Sequence, residues 1–189
     1  AKEKKGVSEK IIRFLIDKSN RVYNTLIVSP PQCGKTTMLR DLIRLLSNGS
    51  ELIGNKGFKV GVIDERFELA GIYNGMPQFD IGIRTDVLSG SNKKDGTIMM
   101  IRAMSPEIIA MDEIGSNLDV EAIHEAIKAG IRIIATIHGD DLEDLISKRS
   151  LKILIEEKVF KRYIFLDNSK GIGTIKDIVD GNSFKSVYR

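Results

Sequence analysis

The chain has 189 residues, is 42% hydrophobic and 29% charged, and carries a formal net charge of +3. That is room for one substantial α/β-sized domain with its own core, in an ordinary soluble composition. No apolar run approaches the ~20 residues of a membrane span, the charge is too small to argue for nucleic acid by itself, and the single cysteine, Cys33, allows no internal disulfide and suits a reducing compartment.

Taken in order, residues 1–7 are a Lys-rich lead that reads as a flexible, solvated tail with no secretory h-region. The chain starts at Ala1 rather than Met, which fits a piece of a longer protein. Ser8 is placed to cap a helix carrying Ile11, Ile12, Leu15 and Ile16 on one face. Residues 24–28 are the first strand. A helix follows over 35–47, with Met38, Leu42, Leu45 and Leu46 inward and Asn48-Gly49 as its stop. Phe58–Ile63 reads as a buried strand ending at Asp64-Glu65-Arg66.

Residues 67–96 are rich in Gly and Asn and show no period; a segment of that length in a compact domain is usually functional or mobile. A helix is predicted over 96–105 and a strand over Glu107–Met111. Ser116-x-x-Asp119 opens a further helix as a capping box, and Gly130 closes it. Ile131–Thr136 is a strand ending near His138-Gly139. Short helices are predicted over 140–149 and 150–158. Val159–Leu166 and Ile172–Val179 then form an antiparallel pair across the polar turn DNSKG. Strands alternating with helices call for a mostly parallel sheet with helices on both faces and this antiparallel pair at its edge.

The chemistry-bearing clusters each sit just after a strand, where parallel sheets bind ligands. Ser29-Pro30-Pro31-Gln32-Cys33-Gly34-Lys35-Thr36 is a P-loop, G-x-x-x-x-G-K-[ST], lacking only its first glycine. Pro31, Gln32, Cys33, Gly34, Lys35, Thr36 and Thr37 would cradle a polyphosphate, the backbone N–H groups around Cys33–Thr37 pointing into the loop at the positive end of a helix. Lys35 would reach the β/γ-phosphates, and Thr36 would hold Mg2+. Ser29 is expected to tighten or reshape the loop.

The run Ile108–Met111 delivers Asp112 and Glu113 in Walker B fashion, Asp112 behind Mg2+ and Glu113 as base for an attacking water. Glu65 is a second carboxylate able to assist at that edge, set against a plain surface ion pair with Arg66. Arg66, Arg84 and Arg102 are arginine-finger candidates, and His138 is a candidate γ-phosphate sensor. Two histidines and one cysteine make no zinc site. Asn92-Lys93-Lys94-Asp95 and Asp112-x-x-Gly115 match GTPase signatures, but in the wrong order and with N-K-x-D in a loop, so ATP is the default nucleotide.

The succession SPPQCGKTTMLRD, VGVIDERFELAGIYNG, DIGIRTDVLSG, IRAMSPEIIAMDEIG and ATIHG resembles the ATPase domain of the stage III sporulation protein AA family, over residues 20–140 with motifs in order. That family is in turn similar to type II/type IV secretion ATPases. The resemblance implies a single RecA-like P-loop ATPase domain over 1–189, with an N-terminal domain of the intact protein lying outside these residues. It also implies a ring, hexameric in expectation, which serves the channel between mother cell and forespore. Such a protein is cytoplasmic, on the mother-cell side, and peripheral to the membrane through channel proteins, without inserting directly. By position Glu65 falls in the family's acidic box and His138 in its His box. Arg102 takes the place of the arginine before Walker B, while Arg66 and Arg84 take those that serve the neighbouring subunit. Asp112-Glu113 stands where many secretion ATPases have Gly-Glu.

Two other readings remain on the same core. One is a nucleic-acid motor or loader, for which basic residues exist (Lys93, Lys94, Lys158, Lys161, Arg162) but no aromatic-interleaved stripe. The other is a nucleotide-binding scaffold without turnover.

Overall fold

Short apolar runs separated by amphipathic helices bury themselves by pairing into a sheet covered on both faces. The computed structural model, which describes residues 5–54 and 56–188, has that form. Its strands are β1 (Thr25–Ser29), β2 (Val60–Asp64), β3 (Thr85–Ser89), β4 (Ile108–Met111), β5 (Arg132–His138), β6 (Arg162–Asp167) and β7 (Thr174–Asp180). They make one seven-stranded sheet in the order β3-β2-β4-β5-β1-β6-β7. Every neighbouring pair is parallel except β6–β7. β5 therefore separates the strand before the P-loop from the strand before Asp112.

The helices are α1 (Lys35–Asn48), α2 (Lys93–Met104), α3 (Asn117–Lys128), α4 (Leu142–Ser147) and α5 (Lys152–Glu156). Alternation along each strand divides the core in two. Ile27, Val62, Ala110 and Ile134 face the α1 side, with Met38, Leu39, Leu42 and Leu46. Leu26, Val28, Ile109, Met111 and Ile133 face the other side, with Val120, Ile123, Leu145 and Leu154 from α3 to α5. Each fully buried large aliphatic contributes about 1.5–3 kcal/mol relative to exposure, so these two stripes hold the layers together.

The expected strands are present with ends moved by a few residues, and three expectations are corrected. The helix from Ser8 is instead two short 3-10 turns, Ser8–Lys10 and Ile12–Phe14. Its apolar face is still buried, but the Ser8 hydroxyl donates to Asp41 of α1 at 2.7 Å rather than capping. The irregular stretch contains β3, a half-buried edge strand with one neighbour and no apolar run to betray it. The preceding loop is pinned, not loose: Asp64 accepts from the N–H groups of Glu68, Leu69 and Ala70, and Arg40 donates to the carbonyls of Glu68 and Leu69. α2 begins at Lys93, with Asn92 as its cap.

The first four residues of the expected flexible lead lie outside the described residues. Of the remainder, Gly6 is tied down: its N–H donates to the Asp41 carboxylate at 3.0 Å, next to the Ser8 N–H, which donates there at 2.8 Å.

Candidate functional site

Parallel strands end at a common edge, and register decides which ends meet there. Ser29 of β1 pairs with His138 of β5, and Met111 of β4 pairs with Ala135. The P-loop, Asp112-Glu113 and His138 are thereby brought side by side.

The loop after β1 turns through Gln32 and Gly34, both left-handed, at φ 60° and 91°. Gly34 is sterically required: a Cβ there would lie 3.1 Å from Ile172 Cγ2 and 3.3 Å from the Gly173 backbone. Ser29 needs no such freedom. It ends β1 in strand pairing, outside the left-handed region, so its Cβ introduces no backbone strain. Its hydroxyl donates to the Pro30 carbonyl at 2.8 Å. α1 starts at Lys35, and Gly34, Lys35, Thr36 and Thr37 line the cavity beside it, where the first helical N–H groups have no partner within the helix. Gln32 also lines this cavity, whereas Pro31 sits at the exposed loop tip and the Cys33 side chain is buried beneath it.

Lys35 is only 7% exposed. Its ammonium donates to the carbonyls of Ser29 and Pro30 at 3.3 and 3.2 Å and to His138 Nδ1 at 2.9 Å. Burial pulls its pKa below the ordinary lysine value, and the nearby Asp112 and Glu113 carboxylates oppose that shift. An ammonium only donates, so Nδ1 accepts and the His138 ring proton sits on Nε2, facing Glu113 Oε1 at 2.9 Å. The other Glu113 oxygen accepts from Arg66. The Glu113 backbone is left-handed at φ 54°, a conformation costing about 1–3 kcal/mol that persists only where neighbours enforce it. Here Thr136 enforces it: its hydroxyl accepts the Glu113 N–H at 2.8 Å and donates to Asp112 Oδ1. Asp112 Oδ2 accepts from Thr36 Oγ1 at 2.7 Å.

These groups enclose a cavity of about 600 Å³, in the usual range for small-molecule sites. The donor set fits a polyphosphate: a half-sequestered ammonium, free helix N–H groups and a glycine cradle. Thr36 and Asp112 fit Mg2+, which takes few protein oxygens and keeps waters and phosphates as its other ligands. Among the described residues no group of three or more His, Cys, Asp or Glu forms a metal cluster.

Other expected residues lie further out. Glu65 pairs with Lys93 at 2.7 Å and borders a narrow crevice shared with Asp112 and Glu113. Lys93 belongs to the N-K-x-D match, whose Asn92 accepts from the Asp95 N–H as a helix cap; the match is the start of α2, not a base-reading loop. Arg84 precedes β3, and its carbonyl accepts from Val60 at the first residue of β2. Arg102 is in the last turn of α2, leading into β4. Both therefore lie at the edge of the sheet opposite the P-loop. Sequence reading missed Thr136, a lone polar side chain inside an apolar strand, and the contribution of Val7, Ile172 and Gly173 to the cavity wall.

Comparison with known proteins gives a consistent result. The family model described as "Sporulation stage III, protein AA" matches residues 1–185. The Stage III sporulation protein AA of Bacillus subtilis (strain 168) is 46% identical over 180 residues, covering 95% of this chain and 57% of that protein. The X-ray structure of the Legionella pneumophila ATPase DotB superposes with a TM-score of 0.64 at 16% identity, over 95% of this chain and 52% of that one. The VirB11 ATPase from the Brucella suis type IV secretion system, in complex with sulphate, gives 0.60 at 16% identity, over 95% and 54%. At such identities the structures speak for the fold alone, the P-loop core of secretion ATPases. The chain spans a little over half the length of these relatives.

Proposed function

This chain belongs to the sporulation stage III protein AA family, and from that premise we propose that it is the ATP-hydrolysing part of a secretion-type motor acting at the channel between mother cell and forespore. The observation that carries this reading is the convergence of Lys35, Thr36, Asp112, Glu113 and His138 on one cavity. Lys35 exchanges its His138 contact for β/γ-phosphate oxygens, and the N–H groups at the start of α1 hold the remaining phosphate charge. Thr36, with Asp112 behind it, would hold Mg2+, which would supply neutralising charge to the phosphate oxygens. Glu113, oriented by Thr136, His138 and Arg66, takes a proton from the attacking water as its oxygen bonds to the γ-phosphorus and the bond to the β-phosphate oxygen breaks. Glu65 supports this edge through Lys93.

On this reading Arg84 and Arg102, at the far edge, serve a neighbouring copy in a hexameric ring. The partners of such a ring are itself and the proteins of a membrane channel, reached from the cytoplasmic side of the mother cell. Among the described residues no helix is long and apolar enough to cross a membrane.

The test is steady-state ATP hydrolysis against protein concentration, with Lys35→Ala as control. Specific activity that rises with concentration and vanishes in the control is the expected result. Tight ATP binding with no turnover at any concentration would replace the motor with a scaffold.

A further inference from the structure

The phosphate-binding edge accounts for only part of a nucleotide. We propose that the base and ribose occupy a cleft between residues 5–10 and the β6–β7 turn, gripped by Val7 and Ile172, and that this grip is apolar enough to accept adenine and guanine alike. The proposal rests on the phosphate-site reading above and extends it to the other end of the ligand.

Three observations carry it. The first is continuity. The cavity at Lys35 and Thr36 reaches Val7, Ile172 and Gly173. A second cavity of about 610 Å³ begins at those same residues and runs on to Ile175 and Tyr188. A ligand with phosphates on α1 that extends from the one cavity into the other passes between these two side chains.

The second is anchoring. Both jaws are peripheral segments, yet each is tied to the phosphate loop or its helix beside its apolar residue. The Gly173 N–H donates to the Cys33 carbonyl at 3.0 Å, next to Ile172. Gly6 and Ser8 donate to Asp41 of α1 on either side of Val7. Loop and jaws are thus a single unit, held at the spacing the ligand must span.

The third is chemistry. Ile172 is 65% exposed at a turn tip, flanked by Gly171 and Gly173 with φ of 109° and 85°. An isoleucine presented in this way beside a phosphate loop offers a face to a flat apolar ring. The outer cavity is otherwise lined by Lys5, Lys10, Lys170 and Thr174, with no carboxylate or carboxamide side chain among its described residues. Sites that hydrogen-bond a distinguishing group reject the analogue lacking it strongly, whereas apolar contact discriminates weakly.

The test is calorimetric titration of the protein, in Mg2+, with ATP, GTP and inorganic tripolyphosphate. Wild-type protein is expected to bind ATP and GTP within about fivefold of each other and both at least about tenfold tighter than tripolyphosphate, the scale of one good apolar contact. Ile172→Ser, at an exposed tip, should weaken both nucleotides about five- to tenfold and tripolyphosphate less than about twofold; Val7→Ser should do the same. Unchanged ATP affinity in both variants, with tripolyphosphate still bound, overturns the subsite and leaves the phosphate reading intact. So does a preference of more than about thirtyfold for one base. Wild-type protein that binds neither tripolyphosphate nor ATP overturns both readings together.

Discussion

Asp41→Ala is the sharpest probe of how the N-terminal segment is held. The carboxylate is almost wholly buried on α1. It accepts from the N–H groups of Gly6 and Ser8, from the Ser8 hydroxyl at 2.7 Å, and from Arg44 at 2.8 Å. After truncation Gly6 and Arg44 can turn to water, but Ser8 is fully buried. Its two donors are left unsatisfied, costing about 1–3 kcal/mol each. Alanine's better helix propensity returns about 0.5 kcal/mol. The net loss is about 3 kcal/mol, and at about 2–4 °C per kcal/mol for a chain of this size Tm should fall by about 6–12 °C. Burial pushes the Asp41 pKa up, but the hydrogen bonds from Ser8, Arg44 and Gly6 outweigh it and hold the carboxyl below its ordinary value of 3.8. A depressed carboxylate stabilises the fold above its unfolded pKa, and that stability is lost as pH falls through the folded value. The gap between wild type and variant should therefore be full at neutral pH and narrow as the pH falls below about 4. Thermal unfolding followed by circular dichroism reads both effects. A neutral-pH Tm within about 2 °C of wild type, or a gap unchanged into acid, would refute the reasoning.

Glu113→Gln should lower ATP turnover by about 10²–10⁴-fold while leaving ATP affinity within a few-fold, because the amide keeps hydrogen bonding but takes no proton; turnover equal to wild type would show that Glu113 is not the base. Tyr163→Phe should hold or raise Tm. The Tyr163 hydroxyl is buried with no hydrogen-bond partner among the described residues, and burial pushes its pKa up to about 12. Removing an unsatisfied buried hydroxyl relieves about 1–3 kcal/mol, so a Tm that falls in the same unfolding assay would mean that the hydroxyl is bonded.

What could be read from the sequence was what is encoded locally. Gly34-Lys35-Thr36 stands between an apolar run and an amphipathic one, and Asp112-Glu113 ends another apolar run. Strand, loop and helix follow from such neighbours alone. What escaped is encoded across the chain. Thr136 steadies Asp112 and Glu113 from a different strand. Asp41 captures Ser8, which competes with the capping role that its sequence neighbourhood suggests. β3 is half-buried at a sheet edge and so carries no apolar period. The N-K-x-D match misleads for the converse reason: four polar residues satisfy a motif, while the physics they serve is a helix cap and an ion pair with Glu65. The missing glycine at Ser29 matters less than expected, because the left-handed turns fall at Gln32 and Gly34 instead.

The arginines carry the argument from the domain to an assembly. Among the described residues lining the cavity the one lysine is Lys35 and there is no arginine, while Arg66 beside it is engaged by the Glu113 carboxylate. A guanidinium bound to Glu113 does not at the same time neutralise charge on a γ-phosphoryl group, a contribution of about 10³–10⁵ in rate where an arginine finger supplies it. Arg84 and Arg102 lie at the opposite edge of the same sheet, beyond reach of their own site. They serve catalysis only if the far edge of one copy faces the P-loop edge of the next. That contact joins two different surfaces, so it is heterologous, and repeating it with a rotation that closes gives a ring rather than a two-fold dimer. The positions of Arg84 and Arg102 are thus those that the proposed ring requires, whatever the number of copies that closes it.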